Sequence, residues 1–91
     1  MKLKAAECHL KLGEVGLETE QYETSIRDFE KCLELQKEHL EAESRLIAET
    51  HYQIGLASCF AQTYDKSLKH LRSAVEVIRN KISKFYLLIS L

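Results

Sequence analysis

The segment His9-Leu10-Lys11-Leu12-Gly13 recurs 42 residues later as His51-Tyr52-Gln53-Ile54-Gly55. The correspondence continues along the chain at the same offset, and we call residues related by this offset equivalent. The further equivalent pairs are Ala6 and Ala48, Glu7 and Glu49, Tyr22 and Tyr64, Ser25 and Ser67, Ile26 and Leu68, Phe29 and Leu71, Cys32 and Ala74, and Leu33 and Val75. Agreement in side-chain size at so many positions indicates an internal repeat, the signature of stacked supersecondary units.

Each repeat has the features of two packed helices. Glycine inside a helix costs about 1 kcal/mol relative to alanine, so Gly13 and Gly55 indicate places where a second helix approaches closely. Tyr22 and Tyr64 then begin that second helix, and the unit is an antiparallel helix pair that occurs twice. We expect helices at about 2–18, 22–39, 42–61 and 64–86. Helices two and three are expected to run almost continuously, because neither glycine nor proline separates them.

The composition agrees with an all-α fold. The 91 residues include no proline, no tryptophan and only three glycines, and 45% of them are apolar while 30% are charged. The dominant residues Leu, Glu, Lys, Ala and Gln are all favourable helix formers. The apolar stretch 85–89 is too short to span a bilayer, which needs roughly 20 residues.

The cysteines indicate a reduced, intracellular protein. Cys8, Cys32 and Cys59 are odd in number and form no CxxC pair. Such cysteines are typically buried as small apolar residues rather than joined in disulfides. We therefore expect all three side chains to be buried.

The motif residues resemble those of the tetratricopeptide repeat (TPR), an all-α helical-hairpin repeat that stacks into solenoids. The signature positions hold Leu12-Gly13, Tyr22, Ser25, Phe29 and Cys32 in the first repeat, and Ile54-Gly55, Tyr64, Ser67, Leu71 and Ala74 in the second. A usual TPR is about 34 residues long, so this one is about eight residues longer. The proline that normally ends the second helix is replaced by Lys37 and Arg79.

This long, proline-free repeat resembles the NASP-like family of histone chaperones with interrupted TPRs, from about residue 6 to about residue 82. The stretches that carry the resemblance are 9–15, 32–36 and 48–57. The resemblance implies a nuclear chaperone for histones H3–H4, with linker histone as a further candidate partner. It also implies a four-repeat parent, so we expect a fragment covering the last two repeats. These would occupy 1–86, at about 6–39 and 48–81, with an apolar tail over 87–91.

A TPR pair leaves one side of each first helix open as a groove, and the repeat register predicts the residues that line it. We call this predicted set the inner face; it comprises Glu7, Leu10, Glu14, Leu17 and Glu18 of the first helix and Glu49, Tyr52 and Leu56 of the third. Cys59 and Phe60 continue the set, while the opposite side should carry the packing residues His9, Leu12, Gly13 and Gly16 and their equivalents. The inner face contains four carboxylates and no basic residue, which favours a partner helix or segment bearing Arg or Lys. Glu49 and Tyr52 are the predicted hot spot.

The distribution of charge also favours a basic partner. Residues 1–50 carry twelve acidic and seven basic side chains, whereas residues 51–91 carry two acidic and six basic ones. An acidic half attracts basic ligands at long range. The basic residues of the last helix have few interleaved aromatics, so we expect a solvated face there and no direct nucleic-acid contact.

Three alternatives to histone binding stay open at this point. Tyr52 and Phe60 are also compatible with ordinary packing between repeats, with the glutamates merely solvated. A TPR co-chaperone or adaptor that holds a carboxylate-terminated tail is a second reading, although an acidic groove would repel such a tail. A structural piece that self-associates is the third, because Leu3, Ile82, Phe85 and Leu88 would face a missing helix or another copy.

Catalytic and metal-binding motifs are missing from the sequence. It contains no glycine-rich phosphate loop, GxSxG, HExxH or DxDxDG motif, so we expect no enzymatic activity and no cofactor. His9 and His51 are equivalent residues, which favours packing against a neighbouring helix over metal ligation. Cys8 and Cys59 also lack metal-ligand spacing.

Overall fold

The chain folds into two helical hairpins that pack side by side. The computed structural model describes residues 2–90 and contains helices α1 (Lys2–Glu18), α2 (Tyr22–His39), α3 (Arg45–Phe60) and α4 (Tyr64–Ser90), with no strand among these residues. Helix α1 packs against α2, α3 against α4, and α2 against α3, which joins the two hairpins. The predicted all-α repeat fold is confirmed, with helices that agree closely with the predicted ones at most of their ends.

The two hairpins turn in the same way. At the end of α1, Glu20 adopts a left-handed φ of 61° and the Gln21 amide donates to the Gly16 carbonyl at 2.7 Å. At the end of α3, the equivalent residue Gln62 has a φ of 65° and the same pattern of backbone bonds follows. This is the Schellman arrangement, in which a left-handed residue lets the chain satisfy the last carbonyls of the helix.

The connection between α2 and α3 differs from the prediction. Five residues, Leu40–Ser44, separate the two helices, so the expectation of an almost continuous helix with a start at residue 42 was wrong. The cause is a side-chain cap: the Ser44 hydroxyl accepts a hydrogen bond from the Leu46 amide at 3.2 Å. Serine is among the strongest N-cap residues, and it begins α3 at Arg45.

The carboxyl end of α4 also differs from the prediction. We expected the helix to end at residue 86, but it continues to Ser90, so residues 87–90 of the predicted apolar tail belong to its last turn. Residue 91 of the predicted tail and residue 1 of the predicted repeat domain lie outside the described residues. Helix α4 has 27 residues, whereas its equivalent α2 has 18.

Each hairpin is closed by a glycine and a serine. A Cβ added at Gly13 would lie 2.5 Å from the Phe29 ring, so any larger residue at this crossing would force the ring to shift. The Ser25 hydroxyl donates to the Gly13 carbonyl at 2.6 Å, and the equivalent Ser67 donates to the Gly55 carbonyl at 2.7 Å. These bonds satisfy buried hydroxyls and fix the same crossing twice.

The core lies between the hairpins and centres on α2 and α3. Its buried apolar cluster consists of Ile26, Phe29, Leu33, Ile47, Ile54 and Ala57. Leu12, which we expected to pack, is 55% exposed, whereas its equivalent Ile54 is fully buried. The difference arises because α3 is covered by α2 while the corresponding side of α1 is open. No helix among residues 2–90 is long and apolar enough to cross a membrane.

The cysteine expectation was correct for one residue of three. Cys32 is buried in the core, where burial raises the pKa of its thiol, and Thr50 lies within hydrogen-bonding distance of it. Cys8 and Cys59 are exposed, so the expectation was wrong for them. Both lie on first helices of a repeat, on surfaces that α2 and α4 leave uncovered.

Candidate partner-binding face

The inner face occupies α1 and α3, the first helices of the two repeats. Leu10 and Leu17 are half-buried and pack against the hydrophobic core, which fixes the rotation of α1. Glu7 and Glu18, one turn or less from these leucines, are exposed. The helical spacing therefore places an apolar strip, partly covered by the core, beside an exposed carboxylate strip along α1.

The amino-terminal end of the inner face borders a cleft. Glu7 and Leu10 line this cleft of about 310 Å³ together with Gln36 and Leu40 of the α2 end and Leu46 of α3. Of the predicted inner face, only Glu7 and Leu10 lie here. Leu46 was missed by the sequence analysis, although it precedes Glu49 by three residues and so shares its side of α3.

The two aromatic residues of α3 differ in their contacts with the rest of the chain. Tyr52 is 52% exposed in the middle of the helix, which does not fit ordinary packing between repeats. Phe60, at the end of the helix, stacks on Tyr22 with ring centroids 5.5 Å apart and an interplanar angle of 13°. Leu56 is half-buried between them. Tyr52 and Leu56 thus offer apolar surface to a ligand, whereas Phe60 is partly engaged within the chain.

The inner face is not free of basic neighbours, which corrects one expectation. Arg45 lies 3.4 Å from Glu49, and Lys11 lies 3.7 Å from Glu14. These pairs are exposed and lie within one helix, so each contributes only about 0.3–0.5 kcal/mol. An incoming guanidinium can displace them at little cost.

The other two inner-face carboxylates are unpaired among the described residues. Within 2–90, neither Glu7 nor Glu18 has an ion-pair partner. The face therefore has two unpaired and two weakly paired carboxylates. Bidentate binding by arginine is the contact that such carboxylates make best.

The equivalent histidines each contact the second helix of their own hairpin. His9 Nδ1 lies 3.1 Å from Asp28 Oδ1, and His51 Nδ1 lies 2.9 Å from His70 Nδ1. Burial and the neighbouring His70 lower the pKa of His51 to about 4, and burial with nearby lysines lowers the pKa of His70. Among residues 2–90 no group of three or more His, Cys, Asp or Glu side chains is arranged to hold a metal ion.

Two basic residues of α4 bind acidic side chains elsewhere in the chain. Lys66 lies 2.7 Å from Glu30 of α2, and Lys84 pairs with Glu43 of the α2–α3 connection. Both pairs hold α4 against the rest of the fold. Part of the basic charge that we expected on a solvated face of the last helix is therefore paired within the chain.

With this geometry established, comparisons with known proteins identify the repeat. Residues 6–43, which span most of α1, all of α2 and most of the following connection, match the SHNi-TPR family model. The nuclear autoantigenic sperm protein of Homo sapiens is 46% identical over 82 residues, covering 90% of this chain and 10% of that protein. The chain therefore contains an SHNi-TPR repeat, and most of it is similar to a part of this sperm protein.

Two further relatives show a similar level of identity over most of this chain. Histone-binding protein N1/N2 of Xenopus laevis is 44% identical over 81 residues, which cover 89% of this chain and 14% of that protein. Protein HGV2 of Halocynthia roretzi is 46% identical over 81 residues, covering 89% of this chain and 16% of that protein. The chain thus spans between a tenth and a sixth of the length of these relatives.

Proposed function

We propose that this chain is a histone-binding TPR module that acts in chromatin assembly, and that it binds H3–H4 through its inner face. The supporting observation is the pairing of an exposed tyrosine, Tyr52, with an exposed, weakly paired carboxylate, Glu49, one helical turn away. Relatives in the family are named as histone-binding protein and nuclear autoantigenic sperm protein. Those names agree with the chemistry of the face.

Binding on this face would combine burial with charge pairing. A histone helix would cover Tyr52 and Leu56, and the burial of such apolar side chains contributes about 25 cal/mol per Å² of apolar surface. Arginines on that helix would replace Arg45 and Lys11 as partners of the inner-face glutamates. An aromatic anchor surrounded by charge-assisted hydrogen bonds is the usual composition of a binding hot spot.

Several finer assignments belong to the same proposal. We infer that linker histone is a second ligand, because its chemistry is also strongly basic. The module would act in the nucleus, without enzymatic activity and without a cofactor. The chain would correspond to two TPRs, at about 6–39 and 48–81, of a longer histone chaperone.

A co-chaperone or adaptor function has less support. A carboxylate-terminated tail would need basic groups on the inner face, where this chain places Leu10, Glu14, Tyr52 and Leu56. The two bases that lie nearby, Lys11 and Arg45, are outnumbered by the four inner-face carboxylates, which would repel such a tail. Self-association has a specific observation behind it, because Leu3, Ile82, Phe85 and Leu88 are all exposed. We propose it as a second property of the chain, independent of histone binding.

The histone proposal is tested by direct binding of purified H3–H4 and of linker histone, measured by fluorescence anisotropy at physiological salt. The variant Glu49→Lys with Tyr52→Ala is expected to bind at least about tenfold more weakly. A matched control, Glu34→Lys with Tyr86→Ala, makes the same changes at exposed sites outside the inner face. Equal affinity of variant and control would refute the site, and absence of binding by the unmodified chain would refute the function.

A further inference from the structure

A second cleft lies between α2 and α4, the second helices of the two repeats. It has a volume of about 500 Å³. Its walls come from the carboxyl end of α2, the α2–α3 connection, α3 and the middle of α4, within residues 37–77. We call it the outer cleft. Because both repeats contribute walls, the outer cleft forms between the two hairpins and not at either end of the stack.

Two ion pairs hold the walls of the outer cleft in place. Lys66 of α4 lies 2.7 Å from Glu30 of α2, and Lys84 of α4 pairs with Glu43 of the α2–α3 connection. Lys66 lies about two helical turns before the α4 wall, and Lys84 about two turns after it. The cleft is therefore bounded on both sides along α4 by contacts with the rest of the fold.

The base of the outer cleft contains a buried histidine with one free ring nitrogen. His51 lines the cleft and is only 6% exposed, and its Nδ1 lies 2.9 Å from His70 Nδ1. Its Nε2 has no hydrogen-bond partner among residues 2–90. Buried polar side chains rarely leave a polar atom without a partner. A free nitrogen of a buried ring at the base of a cleft therefore points to a ligand.

The charge around this nitrogen favours an anion. Burial, His70 and the Lys37 ammonium lower the pKa of His51 to about 4, which places Lys37 near the ring. Among the described residues Lys37 has no ion-pair partner. Glu76 also lines the cleft, but it does not raise the pKa of His51, so its carboxylate lies farther from the ring than Lys37. An anion between Lys37 and His51 would find a positive charge and an N–H donor.

The histidine pair can supply that donor without becoming charged. The contact between the two Nδ1 atoms requires one donor and one acceptor. When His70 donates, the neutral His51 ring carries its proton on Nε2, where it faces the cleft. A bound anion selects this arrangement of protons, because Nε2 then donates to it.

The remaining walls of the outer cleft are mainly apolar. Ile47 belongs to the buried core cluster, and Leu40 and Val77 pack against that cluster. A small inorganic anion would gain nothing from these walls, whereas a carboxylate attached to an apolar side chain would bury that side chain against them. The last residue of a polypeptide has this composition when its side chain is apolar. Its backbone N–H would need an acceptor, which Glu76 provides.

We propose that the outer cleft binds the C-terminal residue of a partner polypeptide when that residue is apolar. The terminal carboxylate pairs with Lys37 and accepts from His51 Nε2, and the backbone N–H donates to Glu76. The side chain packs against the apolar walls, which are Leu40, Ile47 and Val77. This site lies outside the inner face, so it goes beyond the proposed histone binding and does not depend on it.

A peptide titration tests the chemistry of the ligand. The probe is the peptide acetyl-Gly-Ser-Gly-Leu with a free carboxyl group, added to the full chain at neutral pH and followed by NMR of the histidine rings. The peptide should shift the His51 ring resonances saturably, and the same peptide with a C-terminal carboxamide should bind about tenfold more weakly. Equal binding of the carboxamide would overturn the role of the carboxylate. Equal binding of inorganic phosphate would show a simple anion site, and no saturable shift at millimolar peptide would overturn the site itself.

A pair of lysine variants tests the location. Lys37→Met removes the charge from the cleft, and because Lys37 is exposed the variant should fold normally. It should bind the carboxyl peptide about tenfold more weakly. The control Lys31→Met changes an exposed lysine of α2 outside the cleft and should bind as the unmodified chain does. Equal affinities of the two variants would overturn the site. Both should keep the H3–H4 affinity of the unmodified chain, so this test is separate from that of histone binding.

Discussion

Gly13 is the glycine of the first hairpin at which an added Cβ would make the shortest contact. A Cβ there would lie 2.5 Å from the ring of Phe29, which is fully buried and cannot rotate away. We expect Gly13→Ala to lower the free energy of unfolding by about 1–2 kcal/mol, because overpacking outweighs the better helix propensity of alanine. Urea denaturation would measure the difference.

The equivalent Gly55→Ala is the matched comparison. Its Cβ would meet the Leu71 side chain at 2.7 Å, but Leu71 is only half-buried and can adopt another rotamer. Gly55→Ala should therefore lower the free energy of unfolding by less than Gly13→Ala does. Equal decreases would contradict the role assigned to the buried Phe29 ring.

At the same scale, the repeat pattern predicts which residues recur but not which of them are covered. Leu12 and Ile54 occupy equivalent positions, and the sequence assigned both to packing. Ile54 is buried because α2 lies against it, whereas no other helix within residues 2–90 covers Leu12, which is 55% exposed. Burial of a repeat residue depends on the neighbouring repeat, which a local pattern does not contain.

At the scale of elements, the two hairpin turns carry a cost that glycine would remove. Glu20 and Gln62 both have φ near +60°, a conformation that costs a residue with a Cβ roughly 1–2 kcal/mol. Replacement by glycine would remove this cost, but the greater freedom of glycine in the unfolded chain offsets part of the stabilisation. We expect Glu20→Gly and Gln62→Gly each to raise the free energy of unfolding by about 0.5–1 kcal/mol in thermal or urea unfolding.

A glycine placed inside a helix should lower the free energy of unfolding instead of raising it. Glu23→Gly, in the first turn of α2, should lower the free energy of unfolding by about 1 kcal/mol, because glycine is a poor helix former. If the turn variants behaved like Glu23→Gly, the left-handed conformation would not be a source of strain.

The start of α3 is an element boundary that the sequence did not predict, and the cleft beside it was missed for the same reason. The hairpins could be predicted because glycine, serine and aromatic residues recur at a fixed offset. The α2–α3 connection could not, because the signal there is a single serine, Ser44, whose cap forms only when the preceding residues leave the helix. The later start of α3 at Arg45 leaves Leu46 in its first turn, beside the cleft that the sequence analysis overlooked.

At the scale of the whole molecule, the two repeats differ in one part-buried polar contact. The first pairs His9 with Asp28, and the second pairs His51 with His70. The groups that face the second pair are mainly basic: Lys37 of α2 and Lys66 and Lys69 of α4, against Glu30 of α2. Both histidines of the second repeat are therefore held neutral, with one ring donating to the other.

This pair should make the stability of the whole chain sensitive to acid. The pKa of His51 is about 4 in the folded chain against 6.5 when exposed, so below pH 6.5 the unfolded chain binds more protons and the folded state loses stability until about pH 4. We expect a loss of about 2 kcal/mol between pH 6.5 and 5, measured by urea unfolding at constant ionic strength. The variant His70→Asp copies the first repeat and places a carboxylate beside His51, which would raise the pKa of His51. The free energy of unfolding of this variant should stay level or increase as the pH falls from 6.5 to 5. If the variant lost as much stability in acid as the unmodified chain, the histidine pair would be excluded as the cause.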